Sequence, residues 1–164
     1  MSVNNVMTKD VISLRATSTV KDAWLTMMEA DISGAPVVDD SGSIVGIVSL
    51  TDIFRAVVER IQKARSLRET TMQFEDQSAL EKEEIREMSI AIRAVTELKV
   101  SDILPKDQNL HTLGPDDSLD RAIHLIAEHN INRLPVVRGT QVVGIITRQD
   151  IIWSIAGKGG KSSD

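Results

Sequence analysis

Residues 46–52 read Gly-Ile-Val-Ser-Leu-Thr-Asp, and residues 144–150 repeat this pattern as Gly-Ile-Ile-Thr-Arg-Gln-Asp. Each stretch follows a Pro-Val-Val triplet, at residues 36–38 in the first half of the chain and at residues 135–137 in the second. A pattern that recurs in this way indicates an internal repeat, whose units bury their apolar faces against one another. The chain is therefore predicted to contain two copies of one module, with its functional surfaces between them.

The correspondence between the copies extends well upstream of these motifs. Val3 corresponds to Val100 and Ala23 to Ala122, and gaps in the alignment occur only where turns are expected. Apolar positions thus recur in the same order through both copies. The predicted organisation is a first repeat at residues 1–56, an inserted helical segment at 57–99, a second repeat at 100–156 and a flexible tail at 157–164.

Composition narrows the class of protein. With 164 residues, 41% of them hydrophobic, the chain can bury one ordinary core, whereas a single repeat would be marginal alone. The absence of cysteine excludes disulfides and thiolate chemistry. No apolar run approaches the ~20 residues that a membrane span needs, and the N-terminus has no signal region, which predicts a cytoplasmic protein without a membrane partner. A net charge of −5 argues against a nucleic-acid partner.

Each copy is predicted to fold as an extended lead-in, a helix, two strands and a second helix, which makes the fold class α+β. The first helix begins after Thr19 or Ser18, with apolar residues at the i, i+3, i+4 spacing. The Pro-Val-Val strand and the strand ending in the glycine motif are separated by a short turn, which predicts a hairpin. A last helix begins at Asp52 in the first copy and at Asp150 in the second.

The segment between the repeats is rich in charge and poor in Gly and Pro, and it predicts a bent helical pair. Ile85, Met88, Ile92 and Val95 follow the 3, 4, 3 spacing of an a/d seam. Two interpretations of this apolar face stay open. It packs on the core of the module itself, or it forms a contact between two copies of the chain.

The chemistry lies in the motif Gly-h-h-[Ser/Thr]-x-x-Asp, where h is an apolar residue. Ser49 and Thr147 stand where a helix begins, and unpaired backbone N–H groups at a helix start favour phosphate. Asp52 and Asp150 lie one turn later, where a carboxylate can accept hydrogen bonds from two sugar hydroxyls. The alternative is a capping box, in which the hydroxyl and the carboxylate satisfy the amides of the helix itself. The doubled occurrence of the motif favours a nucleotide ligand.

Both copies resemble CBS domains, and the pair resembles the tandem CBS, or Bateman, module of stand-alone prokaryotic proteins. The resemblance covers about residues 3–56 and 100–155 and rests on the paired motifs quoted above. It implies two CBS repeats related by pseudo-twofold symmetry, each with a small β-sheet and flanking helices. It also implies clefts that bind an adenosine-containing ligand, AMP, ADP, ATP or S-adenosylmethionine, and association of the module into a homodimer.

The resemblance assigns roles to single residues. It makes Asp52 and Asp150 the acceptors of ribose hydroxyls, with Ser49 and Thr147 near the ribose or phosphate. Arg133, two residues before the second Pro-Val-Val triplet, is placed to contact phosphate. Further candidate ligand contacts are a second cation and a set of apolar and aromatic side chains near the adenine, each also explicable as core or surface: Arg148, Ile12, Ile32, Ala35, His111, Ile131 and Leu134.

An enzyme is the competing class, and the inventory of reactive residues argues against it. His124 and Glu128 are four residues apart on a helix and could share a metal ion, but an exposed helix face explains them more simply. We therefore predict no catalytic residues, no metal and no required cofactor. The expected function is a regulatory module that senses an adenosine-containing nucleotide and transmits its binding to an unidentified partner protein. The alternative is a structural dimeric adaptor with vestigial nucleotide clefts.

Overall fold

The computed structural model describes residues 1–69, 77–106 and 108–157, and these form the predicted α+β fold. The strands are β1 Leu14–Arg15, β2 Gly34–Val38, β3 Ile44–Ser49, β4 Arg133–Arg138 and β5 Gln141–Thr147. The helices are α1 Val20–Glu29, α2 Leu50–Glu69, α3 Gln77–Thr96, α4 Val100–Ile103, α5 Leu119–Glu128 and α6 Arg148–Ile155. The predicted helix break falls partly on residues 70–76 and the predicted tail largely on 158–164, both of which lie outside the described residues.

The two predicted hairpins are present. Strands β4 and β5 pair antiparallel, with Arg133 opposite Thr147, and strands β2 and β3 are neighbours in a sheet of order β1-β2-β3. In the first hairpin turn, the Asp39 carboxylate accepts a hydrogen bond from the Ser41 hydroxyl at 2.6 Å and one from the Ser43 amide at 3.0 Å. These bonds, led by that from the Ser41 hydroxyl, hold the pKa of Asp39 below its ordinary value.

Packing divides the chain into two units whose limits differ from those of the sequence repeats. Unit 1 contains Met1–Ser13, Pro36–Gly46 and Asp107–Asp164, and unit 2 contains Leu14–Ala35 and Ile47–Lys106. Unit 1 therefore joins the start of the first repeat to most of the second repeat, and unit 2 joins the start of the second repeat to most of the first. None of the helices in the described part of the chain is long and apolar enough to cross a membrane.

In unit 1, the start of the first repeat packs on residues of the second. Val3 is fully buried, and its amide donates a hydrogen bond to the Asp117 carbonyl at 2.8 Å. Thr8 and Ile145 exchange two backbone hydrogen bonds, of 2.9 and 3.0 Å. The core around Val3 is completed by Leu113, Ala122, Ile126, Leu134, Val136, Ile146 and Ile151.

In unit 2, the start of the second repeat packs on residues of the first repeat. Val100 is fully buried, and its amide donates to the Ser18 carbonyl at 2.9 Å. The Val20 amide, at the start of α1, donates to the Leu98 carbonyl at 2.8 Å. Thr19 caps α1 by accepting a hydrogen bond from the Asp22 amide at 3.1 Å, which confirms one of the two predicted caps.

The apolar face of α3 is only partly buried. Val95 is fully buried, as its position in the predicted seam requires, but the exposed fractions of Ile85 and Met88 are 67% and 51%, and Ile92 is also exposed. Packing on the module's own core is therefore correct for Val95 and wrong for the other three residues. The cause is that α3 turns a different stripe, which includes Ala91, into the interior.

We expect the substitution Gly144→Ala to destabilise unit 1 by at most about 1 kcal/mol, the low end of the usual cost of overpacking, because the flexible end of the Met7 side chain can move away from the new Cβ. A Cβ atom on Gly144 would overlap the sulfur of Met7 and lie 3.0 Å from its Cγ. Urea unfolding of Gly144→Ala, Met7→Ala and the double variant tests this close contact. Removal of the Met7 side chain should relieve part of the cost of Gly144→Ala, whereas additive free energies of unfolding would contradict the contact.

Candidate functional site

The motif of the second repeat forms a capping box at the start of α6. The Thr147 amide and hydroxyl donate to Oδ2 of Asp150 at 2.8 and 2.7 Å, and the Asp150 amide donates back to the Thr147 hydroxyl at 3.2 Å. This reciprocal arrangement satisfies two of the backbone donors at the helix start. The predicted alternative to a ligand role is thus realised, and it uses one carboxylate oxygen of Asp150.

The first repeat places its motif in the same way at the start of α2. The Ser49 amide and hydroxyl donate to Oδ2 of Asp52 at 2.8 and 2.7 Å. Asp52 is the one charged residue among those that are buried in the described chain, with 8% of its surface exposed. The cap therefore holds each motif carboxylate in a fixed orientation, which a ligand would otherwise have to impose.

The two repeats differ at the second carboxylate oxygen. Oδ1 of Asp52 accepts a hydrogen bond from Nη1 of Arg55 at 2.9 Å, whereas Oδ1 of Asp150 accepts none from the residues that the structure describes. Trp153 stands where Arg55 would be in the second repeat. Arg55 is not among the predicted site residues, although the i, i+3 spacing of Asp52 and Arg55 on one helix predicts such a contact.

Several predicted contacts of the second repeat meet at one end of the β4–β5 hairpin. Arg133 begins β4 directly opposite Thr147, the last residue of β5, and side chains of such a cross-strand pair lie on the same face. Leu113 bridges to Val136 in parallel, so the lead-in residue His111 precedes it toward the same end of β4. Arg133, Thr147, Asp150 and His111 are thereby brought to one edge of unit 1.

His111 stacks on another histidine. The ring centroids of His111 and His129 are 3.8 Å apart, with 18° between the ring planes. His129 follows the last residue of α5. The stack gives the edge of unit 1 a flat aromatic surface, of the kind on which a purine can stack.

The Arg148 side chain forms hydrogen bonds with residues near the start of β4. Its Nε donates to the Ile131 carbonyl at 2.9 Å, and its Nη2 donates to Oδ1 of Asn130 at 2.8 Å. Asn130 has a positive φ of 50°, which marks a tight turn between α5 and β4. In this conformation the Arg148 guanidinium is hydrogen-bonded to the turn and stabilises it.

The remaining predicted contacts divide by burial. Leu134 and Ala35 are almost completely buried, so they support the site from the core and offer no surface to a ligand. Ile131 and Ile32 are half-buried, and Ile12 is 39% exposed, which leaves these three able to contact one. Ile131 also packs against the core of unit 1.

His124, weighed above as a metal ligand with Glu128, has a contact along its own helix. Nδ1 of His124 lies 2.9 Å from the Asp120 carbonyl and 3.4 Å from the Asp120 carboxylate, one turn back along α5. Within residues 1–69, 77–106 and 108–157, no group of three His, Asp or Glu side chains is arranged to hold a metal ion. The histidine is thus accounted for by a contact along its own helix.

We expect Thr147→Ala to lower the free energy of unfolding by about 0.5–2 kcal/mol, because the start of α6 loses its cap. Thr147→Ser is the matched control, since it retains the hydroxyl and should stay close to the wild type. Chemical denaturation followed by circular dichroism measures both variants. Equal stability of Thr147→Ala and the wild type would contradict a structural role for the cap.

Comparison with known proteins shows the family to which the two repeats belong. The model of the CBS domain family matches residues 3–59 and 100–157. An uncharacterized protein of Methanocaldococcus jannaschii is 26% identical over 156 residues, covering 94% of this chain and 91% of that protein. The chain spans only 32% and 26% of two longer relatives, each 29% identical, so the activities of those whole proteins are not carried over.

Solved structures show the same fold. The structure of CBSX2 in complex with AMP has a TM-score of 0.67 and 22% identity, covering 95% of this chain and 96% of that one. A CBS domain pair in complex with 5′-methylthioadenosine and S-adenosyl-L-methionine has a TM-score of 0.64 and 21% identity, covering 96% and 98%. With two matched segments that hold more than half of its residues, the chain belongs to the CBS domain family and carries two CBS repeats.

Proposed function

We propose that this protein is a regulatory module that binds an adenosine-containing nucleotide, and that the edge of unit 1 around Asp150 is one of its binding sites. The observation that carries the proposal is the state of the Asp150 carboxylate. Its Oδ2 is fixed by the Thr147 cap, and its Oδ1 accepts no hydrogen bond from the described residues. A fixed acceptor with one open oxygen suits the hydroxyls of a ribose.

The surroundings of Asp150 supply the other parts of a nucleotide site. Arg133 lies across the hairpin from Thr147 and would contact phosphate, and the N-terminus of α6 adds partial positive charge. The His111–His129 stack and Ile131 would contact the adenine. Two structural neighbours hold ligands of this class, AMP in one and S-adenosyl-L-methionine with 5′-methylthioadenosine in the other.

In the proposed mechanism, the nucleotide acts as a regulatory ligand and not as a substrate. Its binding shifts the conformation of the module, and the shift changes contact with a partner protein in the cytoplasm. Such a shift cannot exceed the difference in the ligand's affinity for the two conformations. A structural adaptor with vestigial clefts is the alternative function, and it predicts no stabilisation by any nucleotide.

We expect AMP, ADP, ATP or S-adenosylmethionine to bind the wild type and Asp150→Ala to lose most of that binding. Ligand at ~100 times its dissociation constant should stabilise the fold by about 2.7 kcal/mol, which a thermal-shift assay detects. Asp52→Ala should weaken binding less, because Arg55 already occupies Oδ1 of Asp52. Titration calorimetry of both variants gives the affinities.

Asp40→Ala is the matched control, since Asp40 is exposed in the first hairpin turn. It should bind as the wild type does. The proposed site is wrong if Asp150→Ala binds unchanged, and the sensor function is wrong if none of the four ligands stabilises the wild type.

We also propose that a second copy of the chain covers the apolar surface formed by α1 and α3. Leu25, Met28, Ile85 and Met88 are all about half or more exposed, and Ile92 continues the stripe between them. A groove of about 870 Å³ runs between the two helices and includes Trp24, Leu25, Met28 and Ile92 in its lining. Exposed apolar surface of this extent is typical of a protein contact.

The charges beside this surface are self-complementary. Glu84 and Arg93 flank the stripe that runs from Ile85 to Ile92. In an antiparallel pair of α3 helices, Ile85 of one copy would meet Ile92 of the other, and Glu84 would meet Arg93. Glu84 also lies 3.6 Å from Arg65, but its side chain remains 58% exposed and accessible to a second partner. This pattern favours a homodimer over an unrelated partner.

We expect Met88→Glu to dissociate the dimer, because it places two carboxylates at the centre of the apolar contact. Ile90→Glu is the matched control, since Ile90 is 60% exposed but lies on the opposite side of α3. Sedimentation equilibrium measures the mass of each variant, with circular dichroism as a check on folding. A monomeric wild type, or equal dissociation by both variants, would contradict this interface.

A further inference from the structure

Unit 1 has a groove between α5 and α6 that the repeat motifs do not account for. Its volume is about 410 Å³. Five apolar residues line it, Ile123, Ile126, Ala127, Ile151 and Ile152, together with Asn130 and Arg148. The proposed nucleotide site around Asp150 uses none of these side chains, so the groove is open to a different role.

The apolar surface continues from the groove along α6. Ile152 is 62% exposed and Ile155, one turn later, is 71% exposed, while Ile123 on α5 is 37% exposed. The contacts of α6 are mainly with α5 and β5. Large apolar side chains exposed together on two neighbouring helices are typical of a surface that binds another macromolecule.

The equivalent position in unit 2 indicates which kind of element covers such a surface. Ile155 corresponds to Val57 of α2, by the same spacing that relates Asp150 to Asp52. Val57 is half-buried and α3 packs against α2, whereas Ile155 is largely exposed. A helix laid on α6 would give unit 1 the helix packing that α3 gives unit 2, and an amphipathic helix is the usual occupant of an apolar groove.

Arg148 supplies the charge of the groove. Its guanidinium is hydrogen-bonded to two neutral groups, the Ile131 carbonyl and the Asn130 amide oxygen, and it forms no ion pair within the part of the chain that the structure describes. No carboxylate of the described residues lines the groove. A cation without a counterion beside apolar side chains favours a partner helix that carries a carboxylate next to its apolar face.

The same charge disfavours a second copy of the chain as the occupant. In a twofold contact on this face, each copy would present Arg148 and no lining carboxylate from residues 1–69, 77–106 or 108–157. Asp120 of α5 lies 3.4 Å from Nδ1 of His124 and is not part of the lining. Because like charges across an interface oppose association, a different protein with an acidic helix fits better.

We propose that the groove between α5 and α6 binds an amphipathic helix of a partner protein. The apolar face of that helix packs on Ile123, Ile152 and Ile155, and one of its carboxylates pairs with Arg148. The inference rests on the proposed function only where it assigns this helix to the partner of the regulatory module. Asp150 lies in the first turn of α6, so the nucleotide site and the groove share one helix.

The probe is a synthetic alanine-rich peptide of about 20 residues, long enough to form a helix by itself, with leucines at the i, i+3, i+4 and i+7 positions. One version carries a glutamate beside the leucines and the other carries a lysine. Fluorescence anisotropy with the full chain measures both affinities. The glutamate peptide should bind about three- to tenfold more tightly, because it pairs with Arg148 and the lysine peptide is repelled.

Two substitutions in the groove test its contacts. Ile152→Glu should weaken binding of the glutamate peptide by about tenfold or more, because it places a carboxylate on the apolar surface. Arg148→Gln should remove the preference for glutamate over lysine. Phe54→Glu and Arg138→Gln are the matched controls: Phe54 is the 67% exposed equivalent of Ile152 in the first repeat, and Arg138 is exposed at the end of β4. Both should bind as the wild type does.

The proposal is overturned if the glutamate peptide does not bind the wild type, if Phe54→Glu weakens binding as much as Ile152→Glu, or if Arg148→Gln keeps the preference. Dissociation of a wild-type dimer by Ile152→Glu, measured by sedimentation equilibrium, also overturns it, because a second copy would then occupy the groove. Circular dichroism checks that each variant is folded.

The peptide titration is carried out without nucleotide, which separates this inference from the proposed function. Peptide binding to a protein that no nucleotide stabilises would support the groove and contradict the nucleotide site. Nucleotide binding to a protein that does not bind the glutamate peptide would contradict the groove alone.

Discussion

The burial of each repeat's first residues in the packing unit of the other repeat is the constraint on which the structure depends. Val3 lies in a core otherwise built from the second repeat, and Val100 is fully buried among residues of the first. Full burial of a valine contributes roughly 1.5–3 kcal/mol, which is a large share of the stability of a unit this small. Neither repeat can therefore complete its own core, and the two depend on each other to fold.

The same constraint bears on Gly144, the glycine of the second motif. Met7, from the start of the first repeat, occupies the space where a Cβ on Gly144 would lie, so a side chain there would displace the flexible end of Met7. The hydroxyl and the aspartate of the motif then begin the next helix through a capping box. The motif thus serves folding with its hydroxyl and one carboxylate oxygen, while the second oxygen accepts a hydrogen bond from Arg55 in the first repeat and none from the described residues in the second.

Local features of the fold could be predicted from the sequence, and long-range ones could not. Hairpins, helices and the Thr19 cap follow from periodicity and turn residues within a few positions of each other. The sequence could not predict that Val3 packs with the second repeat and Val100 with the first, because equivalent apolar residues fit either core equally well. Ile85 and Met88 show the same limit, since a/d spacing identifies an apolar face but not what covers it.

The hydrogen-bond partners of individual side chains set a further limit on predicting the site. Arg148 was predicted to contact a ligand, and its hydrogen bonds to Ile131 and Asn130 depend on a turn geometry that the sequence does not reveal. Arg55 was not predicted because it has no counterpart in the second repeat, where Trp153 stands at the equivalent position. The motif spacing shared by the two repeats locates Asp52 and Asp150. Whether their carboxylate oxygens are available to a ligand depends on neighbouring residues, which differ between the two repeats.

In the proposed nucleotide function, the Arg55–Asp52 ion pair affects which ligands bind at the first repeat, but it does not block Asp52. The Arg55 side chain is 52% exposed, so the pair is worth about 0.2–1 kcal/mol, and its disruption lowers the affinity of a ligand at Asp52 by about fivefold at most. A ligand that offers only hydroxyl groups must bear this loss. A ligand with phosphates recovers it, because Arg55 released from Asp52 can pair with a phosphate oxygen. For the proposed nucleotide function, we therefore expect Asp52 to favour charged ligands, whereas Asp150 needs no such compensation.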